Sequence, residues 1–540
     1  MVTHRDAPAL RWIPLRLVLD VADSRLVTTT PDADPHAESS VPVILWLIPL
    51  PAVVVTPGLM WAVSNRPFAF RFYLFVTMSV VAGVVATAIV AVLSRGFRHR
   101  IRWSLGVTTV TMIAVFEWPY LTRTGRVLAQ RFSLPILADV VPVAIAVGLV
   151  WVGVRLAHDW PFVALVAPIV LVTAGVLAVN SASFAAPTPA PLPAAEAAPG
   201  SPDVLLLVLD GYGRDDVLRE DYGFDMSGFL GGLEARGFGV ATEATTNYSF
   251  TYASIASMLE MDYVFDLGEM ADSEFEVMRN ALSGGTGMME RFKQAGYDVA
   301  YLENPWGGSS CGERVDWCIR NGLVERSMWN LGQMTVFAPV LKAVRSHPFN
   351  TVSLSHLESL PEILGHPRSD GRPRFTFAHI ILPHPPFLLD ASCGNHNSAL
   401  RRAISTTDEE LLARRRQFYA DQAACTNDGT LRAVDGLIAA NPGAVVMITG
   451  DHGPAPMSLS FTPSGKWSDR MVAGRMRILS AYRLPGCDEM FRADLTPVNG
   501  TRAVTNCALG TNLPELPDHN YWSPSNGEGP VVDVTDRVGR

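Results

Sequence analysis

Residues 204–213 have the sequence VLLLVLDGYG, in which six consecutive apolar residues are followed directly by Asp210 and Gly211. A continuous apolar run of this length is typical of a strand buried on both faces, as in the parallel sheet of an α/β protein. In open α/β sheets the ligand crevice lies at the carboxyl ends of the strands, so Asp210 is well placed for a functional site. For this motif alone, an aspartate in a turn without any chemistry is the alternative interpretation.

Two further apolar runs end in polar side chains. Residues 444–449, AVVMIT, precede Asp451 and His452, and residues 375–382 precede His384. Carboxylate oxygen next to imidazole nitrogen is a ligand mixture suited to zinc or manganese. Three strands that each end in a potential ligand or acid/base group predict a site at one edge of the sheet.

The other histidines of this region are not expected at the site. His379 precedes His384 at an odd spacing on the same predicted strand, so its side chain is expected to point to the opposite face, as a core histidine. His519, near the C-terminus, is left out of the predicted site.

Residues 202–522 resemble the sulfatase and alkaline phosphatase superfamily. The similarity is carried by VLDGYG, NYSFTYASIASML, FAHIILPHPPF and TGDHGP, which occur in the family's order. In particular, the chain is similar to a membrane-anchored branch that contains lipoteichoic acid synthases and phosphoethanolamine transferases. The resemblance implies an α/β sandwich of the alkaline phosphatase type with metal-dependent phosphoryl-transfer or hydrolase activity.

The resemblance also implies roles for individual residues. Position by position, it makes Asp210, Thr251, Asp451 and His452 ligands of a divalent metal, zinc or manganese, and it makes Thr251 the nucleophile as well. His384 would contact the phosphate or the leaving group. A threonine in a polar loop before an ordinary helix is the alternative for Thr251 alone.

Thr251 stands at the predicted start of a helix that continues through Met258. Asn247 or Ser249 is expected to cap this helix. The free amides and the dipole of a helix N-terminus favour a bound phosphate, and a hydroxyl beside a divalent cation ionises more easily.

Two departures from the family pattern bear on the substrate. No cysteine lies in a Cys-x-Pro-x-Arg context, so formylglycine and sulfate ester cleavage are not expected. The first ligand is Asp210, as in the family's phosphodiesterases and phosphatases, whereas the lipoteichoic acid and phosphoethanolamine enzymes typically use glutamate. The identity of the donor group therefore stays open.

The N-terminal half is much more apolar than the rest of the chain. Each of five stretches is close to the length that a bilayer helix requires, namely residues 43–63, 71–93, 103–121, 136–156 and 162–179. The loop at 95–102 is the most basic, which predicts a cytoplasmic N-terminus and an extracytoplasmic C-terminal domain, although the arginines of 123–131 do not fit this orientation.

The predicted organisation has four parts. These are a cytoplasmic segment at 1–42, a multispan transmembrane bundle of about five helices at 43–180, an Ala/Pro-rich linker at 181–201 and an extracytoplasmic catalytic domain at 202–540. The protein is therefore expected in the cell membrane. Nucleic-acid binding is not expected, because the net charge is −9 and the chain contains no long basic run.

All six cysteines lie in the C-terminal half, which favours disulfides over free thiols or a zinc cluster. Closure between nearest neighbours around a long helical segment at 407–440 predicts three pairs: Cys311 with Cys318, Cys393 with Cys425, and Cys487 with Cys507.

The leading functional hypothesis is a membrane-anchored transferase that moves a phosphoglycerol-like or phosphoethanolamine-like group from a lipid-linked donor to an envelope lipid or glycan. A membrane-bound phosphodiesterase, phosphatase or sulfatase-like hydrolase is the second hypothesis. The third is a catalytically silent protein that binds an envelope ligand. A transporter is disfavoured because the spans lack paired central charges and visible repeats.

Overall fold

The computed structural model describes residues 200–265, 287–304, 314–319, 348–366, 371–394, 409–454, 467–523 and 530–539, with short pieces between some of these ranges and within 125–151. All of these residues lie in Trp46–Arg540, one of the two units into which the chain divides.

A seven-stranded mixed sheet forms the centre of the C-terminal domain, in the order β2-β7-β6-β1-β5-β3-β4. Its strands are β1 (Val204–Leu209), β2 (Gly239–Val240), β3 (Asp298–Leu302), β4 (Trp317–Ile319), β5 (Arg374–Ile380), β6 (Val445–Gly450) and β7 (Ser480–Arg483). The predicted strand β1 pairs in parallel with β5 on one side and β6 on the other. Because Leu209 is in register with both Ile380 and Gly450, the three strands end at the same level.

The described part of the domain also contains helices and smaller elements. In chain order they are α1 (Asp215–Tyr222), α2 (Ser227–Glu234), α3 (Thr251–Glu260), α4 (Gly287–Gln294), α5 (Pro348–Leu364), α6 (Glu409–Ala440), α7 (Asp469–Met476), a 3₁₀ turn (Asp488–Met490), α8 (Pro497–Leu509), the two-stranded sheet β8 (Tyr521–Trp522) and β9 (Val532–Asp533), and α9 (Thr535–Val538).

The sheet is buried on both faces. Leu206 and Val208 of β1 belong to one core cluster, which includes residues of α3, α4 and α8. Leu205 and Leu207 point the other way, into a second cluster with residues of α2, α5 and α6. Alternate side chains of an uninterrupted apolar strand thus fill two cores, and the predicted α/β sandwich is confirmed.

Among the described residues, no helix has both the length and the apolar character needed to cross a bilayer. Four of the predicted spans, 43–63, 71–93, 103–121 and 162–179, lie outside the described residues, and 136–156 is described only in part. The transmembrane bundle stays a prediction.

The three predicted disulfides are confirmed, and every cysteine is paired: Cys311–Cys318, Cys393–Cys425 and Cys487–Cys507. The second bond joins the segment after β5 to α6, so it fixes the chain that follows His384 against the longest of the described helices.

Candidate active site

Asp451 and Asp210 meet at the common end of β6 and β1. The amide of Gly211 donates to Asp451 Oδ1 at 2.8 Å, and the amide of His452 donates to the same oxygen at 2.9 Å. These two bonds fix the carboxylate of Asp451 beside the turn that follows β1. Gly211 has a φ of +74°, a conformation that glycine adopts without strain.

Imidazole nitrogens surround the two carboxylates. His452 Nε2 lies 3.8 Å from Asp210 Oδ1 and 3.4 Å from Asp451 Oδ2. His379 Nε2 lies 3.3 Å from Asp210 Oδ2. All four side chains are at most 2% exposed, so their charges interact with little screening by water.

Thr251 is the first residue of α3 and brings its hydroxyl to this cluster. Its Oγ1 lies 3.1 Å from His452 Nε2, and the residue is 6% exposed. The predicted cap by Asn247 or Ser249 is wrong, because Phe250 occupies the N-cap position and no side chain caps the helix. Asn247 Oδ1 instead accepts from the amide of Val498, and the Ser249 hydroxyl donates to the carbonyl of Ser523.

Two further hydroxyls hold the backbone of Asp451. Thr246 Oγ1 and Ser254 Oγ both donate to the Asp451 carbonyl, at 2.6 Å and 2.7 Å. Ser254 lies one helical turn after Thr251, so α3 positions both the candidate nucleophile and the metal-ligand loop.

His452 is held as a neutral acceptor. Its Nδ1 lies 3.2 Å from the carbonyl of Gly453, which can only accept, so the proton resides on Nδ1 and Nε2 presents a lone pair to Thr251. Burial, followed by the positive charge of Arg475, holds the pKa of His452 well below its ordinary value. The ring is therefore uncharged at neutral pH.

The two buried carboxyl groups differ in the direction in which their pKa values are shifted. Burial, and then the negative charge of Asp210, raises the pKa of Asp451 to about 6. Burial also opposes ionisation of Asp210, but the imidazoles of His384 and His379 outweigh it and lower the pKa of this carboxyl. Adjacent buried acids are costly unless a cation compensates them.

The donor set fits a divalent cation. Asp210 Oδ1 and Asp451 Oδ2 are buried and accept no hydrogen bond from any described residue. Asp210, His379 and Asp451 each offer a ligand atom, and these atoms all lie within 4.8 Å of one another. Carboxylate oxygens beside imidazole nitrogens suit zinc or manganese.

The expectation that His379 points away from the site is wrong. The prediction assumed one regular strand through residue 382, but β5 ends at Ile380, so the alternation between faces does not extend to His384. The side-chain nitrogen of Asn304 lies 2.5 Å from His379 Nδ1, and His379 Nε2 is directed at Asp210. His379 lies one residue before the carboxyl end of β5 and is paired with Val208 of β1, which is followed by Asp210. This position near the shared strand ends is the signal that would have identified it.

His384 is half-buried and lies beside the cluster. Its ring centre is 6.3 Å from that of His452. Gln422 of α6 donates to the carbonyls of Pro383 and His384 at 3.0 Å and 2.9 Å, which fixes the loop. The Nδ1–H of His384 donates to the Pro385 carbonyl at 2.7 Å, so Nε2 is the nitrogen available to a substrate.

Arg475 contacts the loops of the candidate site, and the sequence did not indicate it. Its Nε donates to the Ser249 carbonyl at 2.6 Å and its Nη1 to the Gly453 carbonyl at 3.2 Å, although the residue is only 8% exposed. It thus joins the loop before Thr251 to the loop after His452. Burial lowers its pKa to about 10 against the opposing effect of Asp451 and Asp210, so it stays charged at neutral pH.

His519 does not take part in these contacts. Its Nδ1 lies 3.1 Å from Asp533 Oδ2, and its ring stacks on Tyr521 with centres 5.5 Å apart.

No protein-family model matches the chain, and no curated protein matches it either. Similar solved structures include the C-terminal periplasmic domain of EcEptC from Escherichia coli in complex with Zn, at 14% identity over 65% of this chain and 99% of that one, with a TM-score of 0.41. The phosphonate monoester hydrolase of Agrobacterium radiobacter is 14% identical over 59% of this chain and 80% of its own, with a TM-score of 0.39.

The C-terminal periplasmic domain of phosphoethanolamine transferase EptC from Campylobacter jejuni is 13% identical over 57% of this chain and 89% of its own, with a TM-score of 0.35. Its name is that of one of the enzyme types that the motifs of residues 202–522 resemble. With TM-scores below 0.5, these similarities carry no argument about the activity of this chain.

Proposed function

We propose that residues 202–540 catalyse metal-dependent phosphoryl transfer at the cell envelope, with Thr251 as the nucleophile. The observation that supports this most directly is the position of Thr251 Oγ1, 3.1 Å from His452 Nε2 and next to two buried carboxylates. A binding module has no need for a buried hydroxyl in such a setting.

Asp210, Thr251, Asp451 and His452 would hold the cation, and the position of His379 adds a further candidate ligand. When bound, a divalent cation supplies positive charge that eases ionisation of a hydroxyl and neutralises the transferring phosphoryl group. Zinc or manganese suits this donor set.

The residues of the chain orient the reaction. Thr251 Oγ1 loses its proton and forms a bond to phosphorus as the bond from phosphorus to the donor's alcohol oxygen breaks in line, and that oxygen takes up a proton and leaves as the alcohol. The N-terminus of α3 would direct amides at the phosphate, and His384, whose ring centre lies 6.3 Å from that of His452, would contact the transferred group or the leaving oxygen. The phosphoryl group then passes from Thr251 to an acceptor hydroxyl or to water.

The donor in this proposal is lipid-linked, and the acceptor is an envelope glycan or lipid, because the predicted anchor keeps the domain beside the bilayer. A membrane-bound phosphodiesterase or phosphatase is the second candidate. It is favoured by Asp210, which stands where the transferases that the motifs resemble typically have glutamate.

Turnover of bis(p-nitrophenyl) phosphate by the full-length protein in nanodiscs tests the proposal. Thr251→Ala should lower the rate on the order of 10³-fold or more, because the attacking oxygen is lost. Metal content by mass spectrometry should stay near that of the wild type, since three ligands remain. Thr251→Ser keeps the oxygen and should retain measurable activity.

Ser257→Ala is the matched control, because Ser257 is a buried hydroxyl of the same helix that donates only to its own turn, at the Ser254 carbonyl. It should be nearly as active as the wild type. Near-normal turnover by Thr251→Ala would contradict the proposal. Product formation only when an acceptor alcohol is added indicates a transferase, and equal turnover in water alone indicates the hydrolase.

A further inference from the structure

A groove of about 480 Å³ lies on the domain outside the candidate active site. Its walls include Tyr263, Phe265, Leu267, Leu516, His519 and Tyr521. We call it the aromatic groove. None of these residues belongs to the cluster around Asp210, and the volume is within the range of small-ligand pockets.

Three rings give the groove a fixed shape. His519 and Tyr521 stack with an interplanar angle of 11°. Tyr263 stands edge-on to both, at 5.9 Å from His519 and 5.4 Å from Tyr521. The Tyr263 hydroxyl accepts from the His519 amide at 2.9 Å and donates to the Pro517 carbonyl at 2.7 Å, so the rings are held in place by the backbone. Such a surface is preorganised for a ligand with a flat apolar face.

The charges around the groove select against ions. Asp262 lines the groove, and its Oδ2 lies 3.9 Å from the guanidinium of Arg502. Asp533 is paired with His519. Because Arg502 offsets part of the charge of Asp262, this acid attracts a cation weakly, and because both residues are acids they repel an anion. Their oxygens still accept hydrogen bonds from a neutral hydroxyl.

The groove is joined to the nucleophile loop. The Tyr521 amide donates to the Asn247 carbonyl at 2.8 Å, and the Ser249 amide donates to the Tyr521 carbonyl at 3.1 Å. The Asn247 side chain donates to the His519 carbonyl at 3.2 Å. The segment that forms the groove therefore shares its backbone contacts with the four residues that lead into Thr251.

From these observations we propose that the aromatic groove binds a neutral sugar ring, and that it holds the glycan acceptor for the group carried by Thr251. The apolar C–H face of a pyranose packs on the accessible part of the half-buried rings of Tyr263, His519 and Tyr521, while its hydroxyls donate to Asp262. The role as an acceptor subsite rests on the function proposed above, whereas sugar binding itself does not.

Saturation-transfer NMR and calorimetry on the full-length protein in nanodiscs, free of sugar detergents, test this inference. The probes are cellobiose, maltose and N,N′-diacetylchitobiose, with tetramethylammonium chloride and inorganic phosphate as the charged alternatives. At least one disaccharide should bind, with saturation strongest on the C–H protons of one ring face. His519→Ala should weaken that binding about tenfold, the equivalent of one lost aromatic contact.

His366→Ala is the matched control, because His366 is an exposed histidine that packs on another ring, Trp317, at the β4 edge of the sheet. It should bind sugar as the wild type does. If His519→Ala lowers the melting temperature, Asp262→Asn takes its place, since it keeps the Oδ1 that accepts from the Tyr263 amide and should still weaken binding several-fold.

No binding of any disaccharide, unchanged binding by both variants, or preferential binding of tetramethylammonium or phosphate would overturn the inference. Thr251→Ala separates the two proposals, because it should retain sugar binding while losing turnover. If Thr251→Ala loses turnover but the protein binds no sugar, the sugar subsite alone is rejected. If the protein binds sugar but Thr251→Ala turns over normally, the role of Thr251 as nucleophile alone is rejected.

Discussion

We expect the ionised carboxylate of Asp451 to favour metal binding but to destabilise the metal-free domain. Its pKa of about 6 exceeds the ordinary value of 3.8, so without metal the folded state binds the proton more tightly than the unfolded state does. The free energy of unfolding of the metal-free protein therefore falls as the pH rises from about 4 to about 6, and the loss persists above that range.

Asp451→Asn should consequently have two effects of opposite sign. The EDTA-treated variant should melt at a higher temperature than the EDTA-treated wild type at pH 7.5, because the neutral amide keeps the Oδ1 acceptor and removes the repulsion from Asp210. Its zinc affinity should fall at least about 100-fold, since a charged ligand is lost. Differential scanning fluorimetry and metal titration measure the two quantities.

Asp203→Asn is the control for this pair of measurements. Asp203 is also buried and accepts from a backbone amide, that of Arg374, but it precedes β1 at the opposite end of the strand. It should leave zinc affinity unchanged. A metal-free Asp451→Asn protein that melts below the wild type would refute the electrostatic account.

The sequence predicted the members of the site that follow predicted strands or begin a predicted helix. Asp210, Thr251, Asp451, His452 and His384 are all brought together by the fold. The two omissions have physical causes. His379 was excluded by an alternation rule that stops where its strand stops, and Arg475 reaches the site from a helix with no motif, through hydrogen bonds to carbonyls that any sequence would present.

At the scale of elements, prediction worked where the apolar pattern was long. The runs 204–209 and 444–449 correspond to β1 and β6 within one residue, and the helical segment 407–440 corresponds to α6. The short strands β2, β4 and β7 were not predicted, because two to four residues at or near a sheet edge show no clear periodicity and depend on tertiary pairing.

Helix α3 ends in an acid, which predicts a pH-dependent stability. Burial, then the charges of Asp262 and Glu290, raises the pKa of Glu260 to about 7. Ionised carboxylates are also unfavourable at a helix C-terminus. Stability from this residue is therefore present below about pH 4.5 and is lost as the pH rises through 7.

Glu260→Gln should raise the melting temperature at pH 8 and flatten its decline between pH 5 and 8. Glu234→Gln is the control, because Glu234 ends α2 in the same way but is exposed. The two variants are compared by thermal melts across the pH series. Equal changes in melting temperature for the two variants would show that burial of Glu260 does not affect the stability of the protein.

At the scale of the whole molecule, the predicted topology places Met1 in the cytoplasm and residues 202–540 outside it. The confirmed disulfides fit an oxidising compartment for the C-terminal domain. Within the partly described span, four apolar side chains are at least 50% exposed, namely Val140, Val143, Val147 and Trp151. Side chains of this kind are more stable in hydrocarbon than in water.

A reporter that is active only in the cytoplasm tests this topology. It should be inactive when it is fused after Arg540, and an active fusion would show that the topology is wrong.

In the proposed mechanism Thr251 carries the phosphoryl group between two steps of the reaction. The direct measurement is mass spectrometry of wild-type protein quenched with acid during turnover of bis(p-nitrophenyl) phosphate. We expect a nitrophenyl phosphoryl group on Thr251 within its peptide, and none on that peptide from Thr251→Ala. Turnover with Thr251 unmodified at every quench time, or with the group on another residue, would contradict it.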